Sequence, residues 1–229
     1  MLTIVPTPIG NLEDMPPRAL RALKEASSVY CEDTRRTRVL MSHFGLTTPL
    51  HRYHEHDPAS VSQMLDRLAS GSNCALVSDG GLPGISDPGR RVVAMARKNG
   101  VPITALPGPS AVVTALAGSG LPADSFIFLG FLPRSAGKQK KSLKAAAELG
   151  RTIVIYESPF RVVELLTSVE EAVGPKAQAC VARELTKLHE EWLTGTVAEV
   201  RAILSAREKL LGEFVVMIHP DVEPAYASE

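Results

Sequence analysis

The chain has 229 residues, 45% hydrophobic and 22% charged, the ordinary balance of a soluble globular protein with material for one large or two small domains. Its 25 basic residues offset 25 acidic ones, so any affinity for nucleic acid has to come from a local basic patch. No apolar run approaches the roughly 20 residues that span a bilayer, and the start, Met1-Leu2-Thr3-Ile4-Val5-Pro6, lacks the features of a signal peptide. Cys31, Cys74 and Cys180 are odd in number and far apart, which argues against a disulfide framework or zinc site and for a reducing cytoplasm.

Short β-like runs alternate with helical patterns nearly throughout, which predicts an α/β fold. The first strand is expected over 2–5. A helix follows from Pro16-Pro17, with Leu20, Leu23 and Ala26 on one face. A strand over 28–31 leads into a helix over 35–43. A third helix over 59–69 carries apolar Val61, Met64, Leu65 and Leu68. The next strand ends at Val77, and Asp87-Pro88 then reads as an N-cap with proline at N1 of a helix closed by Asn99-Gly100. A strand-like run over 101–106 enters a turn and a helix over 112–116. The turn-rich stretch 118–124 suggests a domain boundary, giving 1–118 and 119–229. Beyond it, strands are expected over 126–131, 152–156, 179–182, 191–193 and 213–218, with helices over 161–172 and 197–204. Residues after His219-Pro220 read as an acidic, loose tail.

The segment Ser78-Asp79-Gly80-Gly81-Leu82-Pro83-Gly84-Ile85-Ser86-Asp87-Pro88-Gly89 follows a strand. Its four glycines let the backbone turn and approach a ligand closely. The loop after the first strand, Pro6-Thr7-Pro8-Ile9-Gly10, is no dinucleotide fingerprint, and its prolines remove backbone donors. Gly130 and Gly137-Lys138 have the wrong spacing for a phosphate-binding Walker loop, and neither Ser86 nor Ser110 lies in G-x-S-x-G. His51, His54 and His56 read as a polar loop before a helix; a substrate-facing loop or a metal site is the sharper alternative, though the spacing fits no known metal pattern. Around Glu32, Asp33, Arg35 and Arg36, a solvated helix start and a phosphate-binding arginine group are even readings. The run from Arg134 to Lys144, with Lys138, Lys140 and Lys141 and no acid, reads as a surface loop, mobile or phosphate-contacting. Tyr156-Glu157-Ser158-Pro159 and Arg183-Glu184-Leu185-Thr186-Lys187 place polar groups just after strands, where α/β sites lie.

In order along the chain stand VPTPIGNLED (5–14), CEDTRRT (31–37), SDGGLPGISDPG (78–89), LPGPSAV (106–112), FLGFLPR (128–134), YESPFR (156–161), ARELTK (182–187) and GEFVVMI (212–218). Together they resemble the tetrapyrrole methylase superfamily of S-adenosylmethionine-dependent enzymes, and within it the branch that 2′-O-methylates a cytidine of 16S rRNA in the small ribosomal subunit. The resemblance implies two α/β domains with a cofactor cleft between them, in a cytoplasmic homodimer with no membrane partner. It also implies cofactor contacts at Pro8, Ile9, Asp79, Gly80, Leu82, Ile85, Ser110, Ala111, Tyr156, Ala182 and Glu213. Many members of the branch read S-D-A-G-T-P-G where Gly80 and Leu82 stand here, and many extend beyond the last strand.

Methyl transfer to a weakly acidic ribose hydroxyl calls for placement, and for a base or a cation near the developing oxyanion. Glu184, Lys187 and Glu157 are the catalytic candidates, with Asp33 and Arg35 in reserve. Arg35, Arg36, His54, His56, Arg134, Lys138, Lys140 and Lys141 are the candidate RNA contacts, and no metal is expected. A tetrapyrrole (precorrin or uroporphyrinogen) methylase and a non-catalytic RNA-binding assembly factor are the alternatives.

Overall fold

The computed structural model describes residues 1–220; the expected acidic tail lies outside them. The chain divides into two compact units, Met1–Ser110 and Ala111–Glu229.

In the first unit, strands β1 (Leu2–Ile4), β2 (Ser28–Cys31), β3 (Leu50–Arg52), β4 (Cys74–Leu76) and β5 (Ile103–Ala105) form one sheet in the order β3-β2-β4-β1-β5. Every pairing is parallel. Helices α1 (Pro17–Glu25), α2 (Thr34–His43), α3 (Pro58–Ala69) and α4 (Arg90–Lys98) form the crossovers. One sheet face packs Leu2, Ile4, Tyr30 and Leu76 against Val61, Met64 and Leu68 of α3 and Val92 and Ala96 of α4. The other packs Val29, Cys31, Ala75 and Val77 against Ala19 and Leu23 of α1 and Met41 of α2. A sheet covered on both faces explains why its strands are short apolar runs without alternation. Because all five strands run the same way, their following loops gather at one edge.

Local chemistry sets the helix starts. Asp33 and Asp57 each accept a backbone N–H two residues on, from Arg35 (2.9 Å) and Ala59 (3.0 Å). The expected cap of α4 differs. Asp87-Pro88 does not open the helix; Gly89, at φ 140°, is its N-cap. The carboxylate of Glu55, from a distant loop, accepts from the Gly89 N–H (2.8 Å) and the Arg91 N–H (3.1 Å). A side chain remote in sequence thus takes the post assigned to a local one. Strand β3 is a further difference: residues 50–52 pair with β2 at the sheet edge, where the sequence reads only a polar loop.

In the second unit, β6 (Phe126–Phe131), β7 (Thr152–Glu157), β8 (Gln178–Arg183), β9 (Glu191–Thr196) and β10 (Phe214–His219) form a mixed sheet ordered β6-β7-β10-β8-β9. Only β6 and β7 are parallel; β10 runs antiparallel to both β7 and β8. Helices α6 (Ala136–Ala147), α7 (Val162–Ala172) and α8 (Val197–Ser205) bury Leu143, Leu165, Leu166, Val169, Val200 and Leu204 against Ile153, Ile155, Val181, Phe214 and Val216. A capping box opens α8: Thr196 and Glu199 exchange side-chain and backbone hydrogen bonds.

Two sequence expectations are revised here. The basic stretch after Arg134 is not a loop but helix α6, anchored by Leu143 and Ala146, with the side chain of Gln139 also buried. Helix α5 (Ala111–Gly118) groups with the second unit, so the units part at Ser110/Ala111 where the sequence suggests 118/119. It packs on β10, and a Cβ at Gly118 would lie 2.6 Å from Trp192 Cη2.

Gly108 and Gly137 predict opposite outcomes for the same substitution. A Cβ at Gly108 would lie 2.4 Å from Cγ of the rigid Pro6 ring, whereas one at Gly137 meets nothing within 4 Å. Gly108→Ala is expected to destabilise by about 1–3 kcal/mol through overpacking. Gly137→Ala, within α6, is expected to stabilise by about 0.5–1 kcal/mol. Urea denaturation of the two variants checks the pair; equal midpoints contradict it.

Candidate active site

At the loop edge of the first unit the chain after β1 is zipped to the glycine loop after β4. Thr7 N–H donates to Gly81 O (3.0 Å) and Gly81 N–H to Thr7 O (2.8 Å). Thr7 Oγ1 donates to Ser78 O (3.0 Å), and Ser78 Oγ to Gly81 O (3.2 Å). Gly81 sits at φ 88°, a conformation that favours glycine. A Cβ at Gly80 would make ordinary contact, 3.4 Å from Pro8 O and 3.6 Å from Ile9 Cα, so an alanine there would fit. Pro8, Ile9, Asp79, Gly80 and Leu82 therefore lie on two joined loops. Ile85 is exposed further along the glycine loop. Ser110 and Ala111 stand where the first unit ends and α5 begins.

The arginine group after β2 meets this edge. Arg36 Nη1 lies 3.4 Å from Asp79 Oδ2. Arg35 is turned onto its own helix cap, Nε to Asp33 Oδ1 (3.1 Å) and Nη2 to Oδ2 (2.9 Å), and these bonds bring Asp33 down to about 2. Arg35 is thus largely spent on a local pair, while Arg36 bridges to the glycine loop. His51 stacks on Tyr30 at 5.3 Å, and burial lowers its pKa. His54 Nε2 meets Arg52 Nη2 at 2.9 Å, and His56 is exposed. Among the described residues no His, Cys, Asp and Glu cluster could hold a metal ion.

Asp87 lies in the same loop. Burial first, then the nearby charges of Asp79 and Glu32, push its pKa up to about 6. S-adenosylmethionine carries a sulfonium, an ammonium and ribose hydroxyls. Glu32, Asp79 and Asp87 crowd negative charge at this edge beside an open glycine backbone, and that set of acceptors fits such a ligand.

In the second unit the antiparallel run of β10 lines up three polar clusters along one sheet edge. Phe214 is level with Glu157 on one side and Arg183 on the other. One rung further in, Phe131, Tyr156, Val215, Ala182 and Trp192 share a cross-strand row. Side chains in register point to one face. Tyr156 meets the Phe128 and Phe131 rings edge-on at 4.9 Å and 5.6 Å.

Lys187 is clamped at this edge. Its Nζ donates to Glu184 Oε1 (2.8 Å) and Glu213 Oε2 (3.0 Å), and Glu184 Oε1 also accepts the Glu213 N–H (2.9 Å). Burial opposes the ammonium, but the two carboxylates outweigh it and leave the Lys187 pKa raised. Burial likewise pushes Glu184 up, and the bonds from Lys187 and the Glu213 backbone more than offset it, leaving the Glu184 pKa lowered. The cluster therefore holds its charges near neutral pH: Lys187 is a fixed cation and Glu184 a fixed anion. The loop is strained to achieve this. Glu184 (φ 52°) and Thr186 (φ 65°) adopt left-handed backbone without being glycine, at a cost of about 1–3 kcal/mol each. Gly212 makes room, since a Cβ there would lie 2.5 Å from Glu184 Cγ. Glu190 ties the loop down, accepting from the Thr186 N–H (2.5 Å) and Trp192 Nε1 (2.9 Å). The Glu184–Glu213 contact is what sequence reasoning missed, because it exists only once β10 is paired.

Glu157 differs from Glu184. Its side chain is buried, Oε1 accepts the Ser158 N–H (2.8 Å), and Oε2 has Arg161 Nη2 at 3.4 Å but no hydrogen bond. That carboxylate faces its own turn. On α6, Lys138 and Lys141 are exposed while Lys140 pairs with Glu171; Arg134 is exposed just before the helix.

Comparison with known proteins supplies the chemistry. Residues 1–201 match the family Tetrapyrrole (Corrin/Porphyrin) Methylases. The chain is 43% identical over 230 residues to a Ribosomal RNA small subunit methyltransferase I of Halalkalibacterium halodurans, a match covering 100% of this chain and 78% of that protein. It is 39% identical over 219 residues to the protein of the same name in Hydrogenobaculum, covering 95% of this chain and 94% of that one. Among solved structures it superposes on uroporphyrin-III C-methyltransferase of Thermus thermophilus in complex with S-adenosyl homocysteine. There the TM-score is 0.67 at 18% identity, over 94% of this chain and 96% of that one. The chain belongs to the tetrapyrrole methylase family and is an S-adenosylmethionine-dependent methyltransferase.

The shifted carboxyl of Asp87 predicts a pH effect on stability. Its folded pKa, about 6, lies above the usual 3.8, so the folded state holds the proton more tightly. The resulting stabilisation is full below pH 4 and is lost as pH rises through 6. Thermal melts of wild type and Asp87→Asn should therefore diverge between pH 4 and 6, wild type weakening relative to the variant, and run parallel above. A constant difference across that range contradicts the assignment.

Proposed function

We propose that this chain transfers the methyl group of S-adenosylmethionine to the 2′-oxygen of a cytidine ribose in 16S rRNA, within the small ribosomal subunit. The observation that carries this reading is the match at about 40% identity, across nearly the whole chain, to proteins named for small-subunit ribosomal RNA. The clamped Lys187 and the exposed cations Arg134, Lys138 and Lys141 support it. A homodimer acting in the cytoplasm completes the proposal.

The bound cofactor would supply an activated methyl group on a sulfonium. Pro8, Ile9, Asp79, Gly80, Leu82, Ile85, Ser110 and Ala111 are the proposed contacts on the loops that close the first unit and open α5. Tyr156, Ala182 and Glu213 are those at the sheet edge of the second. The chain's own task is to seat the ribose hydroxyl and stabilise its oxygen as the proton leaves. Lys187, held charged, is suited to that oxyanion as a cation and not as a base. Glu184 and Glu213 fix the lysine, and Glu184, held as an anion by Lys187 and the Glu213 N–H, acts through it. Glu157 is better placed to hold its own turn than to meet substrate. Phosphates fall to Arg134, Lys138 and Lys141; Arg35, Arg36 and Lys140 are already paired, and His54 and His56 are left as flanking contacts.

Labelled methyl transfer decides the acceptor. With purified wild-type protein, label is expected in the RNA of small ribosomal subunits, at one cytidine whose 3′ phosphodiester becomes resistant to alkaline cleavage because its 2′-oxygen is methylated. Label on a base, or transfer only to a tetrapyrrole, overturns the proposal. Failure to bind S-adenosylhomocysteine in a calorimetric titration would favour a non-catalytic assembly factor.

A further inference from the structure

Two aromatic side chains on the polar edge of the second sheet are left to solvent. Phe131, the last residue of β6, is 60% exposed, and Phe160, in the turn after β7, is 88% exposed. Neither belongs to the core that α6, α7 and α8 make with the sheet.

The two loops that carry them are tied together. Arg161 Nη2 lies 3.4 Å from the carbonyl oxygens of Leu132 and Pro133, which follow Phe131, and donates to both. The buried carboxylate of Glu157 lies 3.4 Å from the same guanidinium and accepts the Ser158 N–H. Phe131 is further braced by Tyr156, level with it on the next strand. The rings are thus presented from fixed backbone. Around them the chain is cationic: Arg134 follows Phe131 by three residues, Lys138 and Lys141 lie exposed on α6, and no acid occurs from Arg134 to Lys144.

We propose that Phe131 and Phe160 form a stacking surface for an unpaired base of the RNA substrate, with Arg134 and the α6 lysines taking the flanking phosphates. The inference rests on the RNA reading above. Isolated aromatic faces set among cations match the way single-stranded nucleic acid is gripped, by base stacking beside a basic track. A surface between two copies of the chain would instead need a continuous apolar patch. Here the chain next to the rings is polar: Arg134 and Ser135 after Phe131 are exposed, and Ser158 before Phe160 is half-buried.

The test uses the full chain with Phe131→Ala, Phe160→Ala and the conservative Phe160→Trp. Single-turnover methylation is followed against small-subunit concentration, and S-adenosylhomocysteine affinity is measured in parallel. Each alanine variant is expected to raise the half-saturating subunit concentration about tenfold, within the range for loss of one stacked base. Phe160→Trp should restore it, and cofactor affinity should not move. A single-stranded RNA carrying 2-aminopurine should be quenched by wild type and not by Phe160→Ala. Wild type that methylates while both alanine variants saturate normally overturns the stacking surface alone. Variants that change the sedimentation of the protein place the rings between copies and also overturn it. Wild type that neither quenches the RNA nor methylates subunits overturns both this inference and the acceptor reading.

Discussion

Strand β10 enters the second sheet against the direction of its neighbours, between β7 and β8. That reversal brings its first residues to the edge where β7 and β8 end. Glu213 thereby reaches the Glu184–Lys187 turn, with β7 and Glu157 on its other side. Without it, Lys187 would keep one carboxylate from its own loop and lose the second, together with the backbone N–H that anchors Glu184. The strain at Glu184 and Thr186 and the glycine at position 212 are local consequences of fitting that contact. The first unit reaches a comparable end differently. Its strands are all parallel, so its polar loops gather at one edge without any reversal, and the Thr7–Gly81 bridge fixes two of them to each other.

Charge is handled differently at the two edges. In the first unit, carboxylates crowd together and Asp87 is held toward its neutral form, the arrangement of a site that gains from a cationic or hydroxyl-bearing ligand. In the second, Lys187 is saturated by anions and keeps its proton. Protein charge that is already fixed needs no rearrangement when charge develops on a substrate, which is the physical basis of electrostatic stabilisation in enzymes.

Much of this was legible in the sequence. The α/β alternation, most strands and the turn-and-glycine loops follow from apolar runs, proline and glycine. The family resemblance rests on the same loops, and the comparisons bear it out. What was not legible depends on tertiary placement. Strand β3 is three residues with a polar middle, stable only because β2 is beside it. Helix α6 reads as a loop because lysines dominate it and few apolar residues anchor it. The cap of α4 comes from Glu55, far away in sequence, so the nearer Asp87-Pro88 looked sufficient. The partnership of Lys187 with Glu213 and the exposure of Phe160 are likewise set by packing, and no local pattern announces them.

Lys187 acts, on this reading of the second site, as a cation fixed by its carboxylates. A double-mutant cycle on the single-turnover methylation rate, at saturating cofactor and RNA, measures that directly. If the clamp is one device, Lys187→Ala and Glu184→Gln each slow transfer at least tenfold, and the double variant is no slower than Lys187→Ala alone. Rates within threefold of wild type, or losses that simply multiply in the double variant, would contradict it.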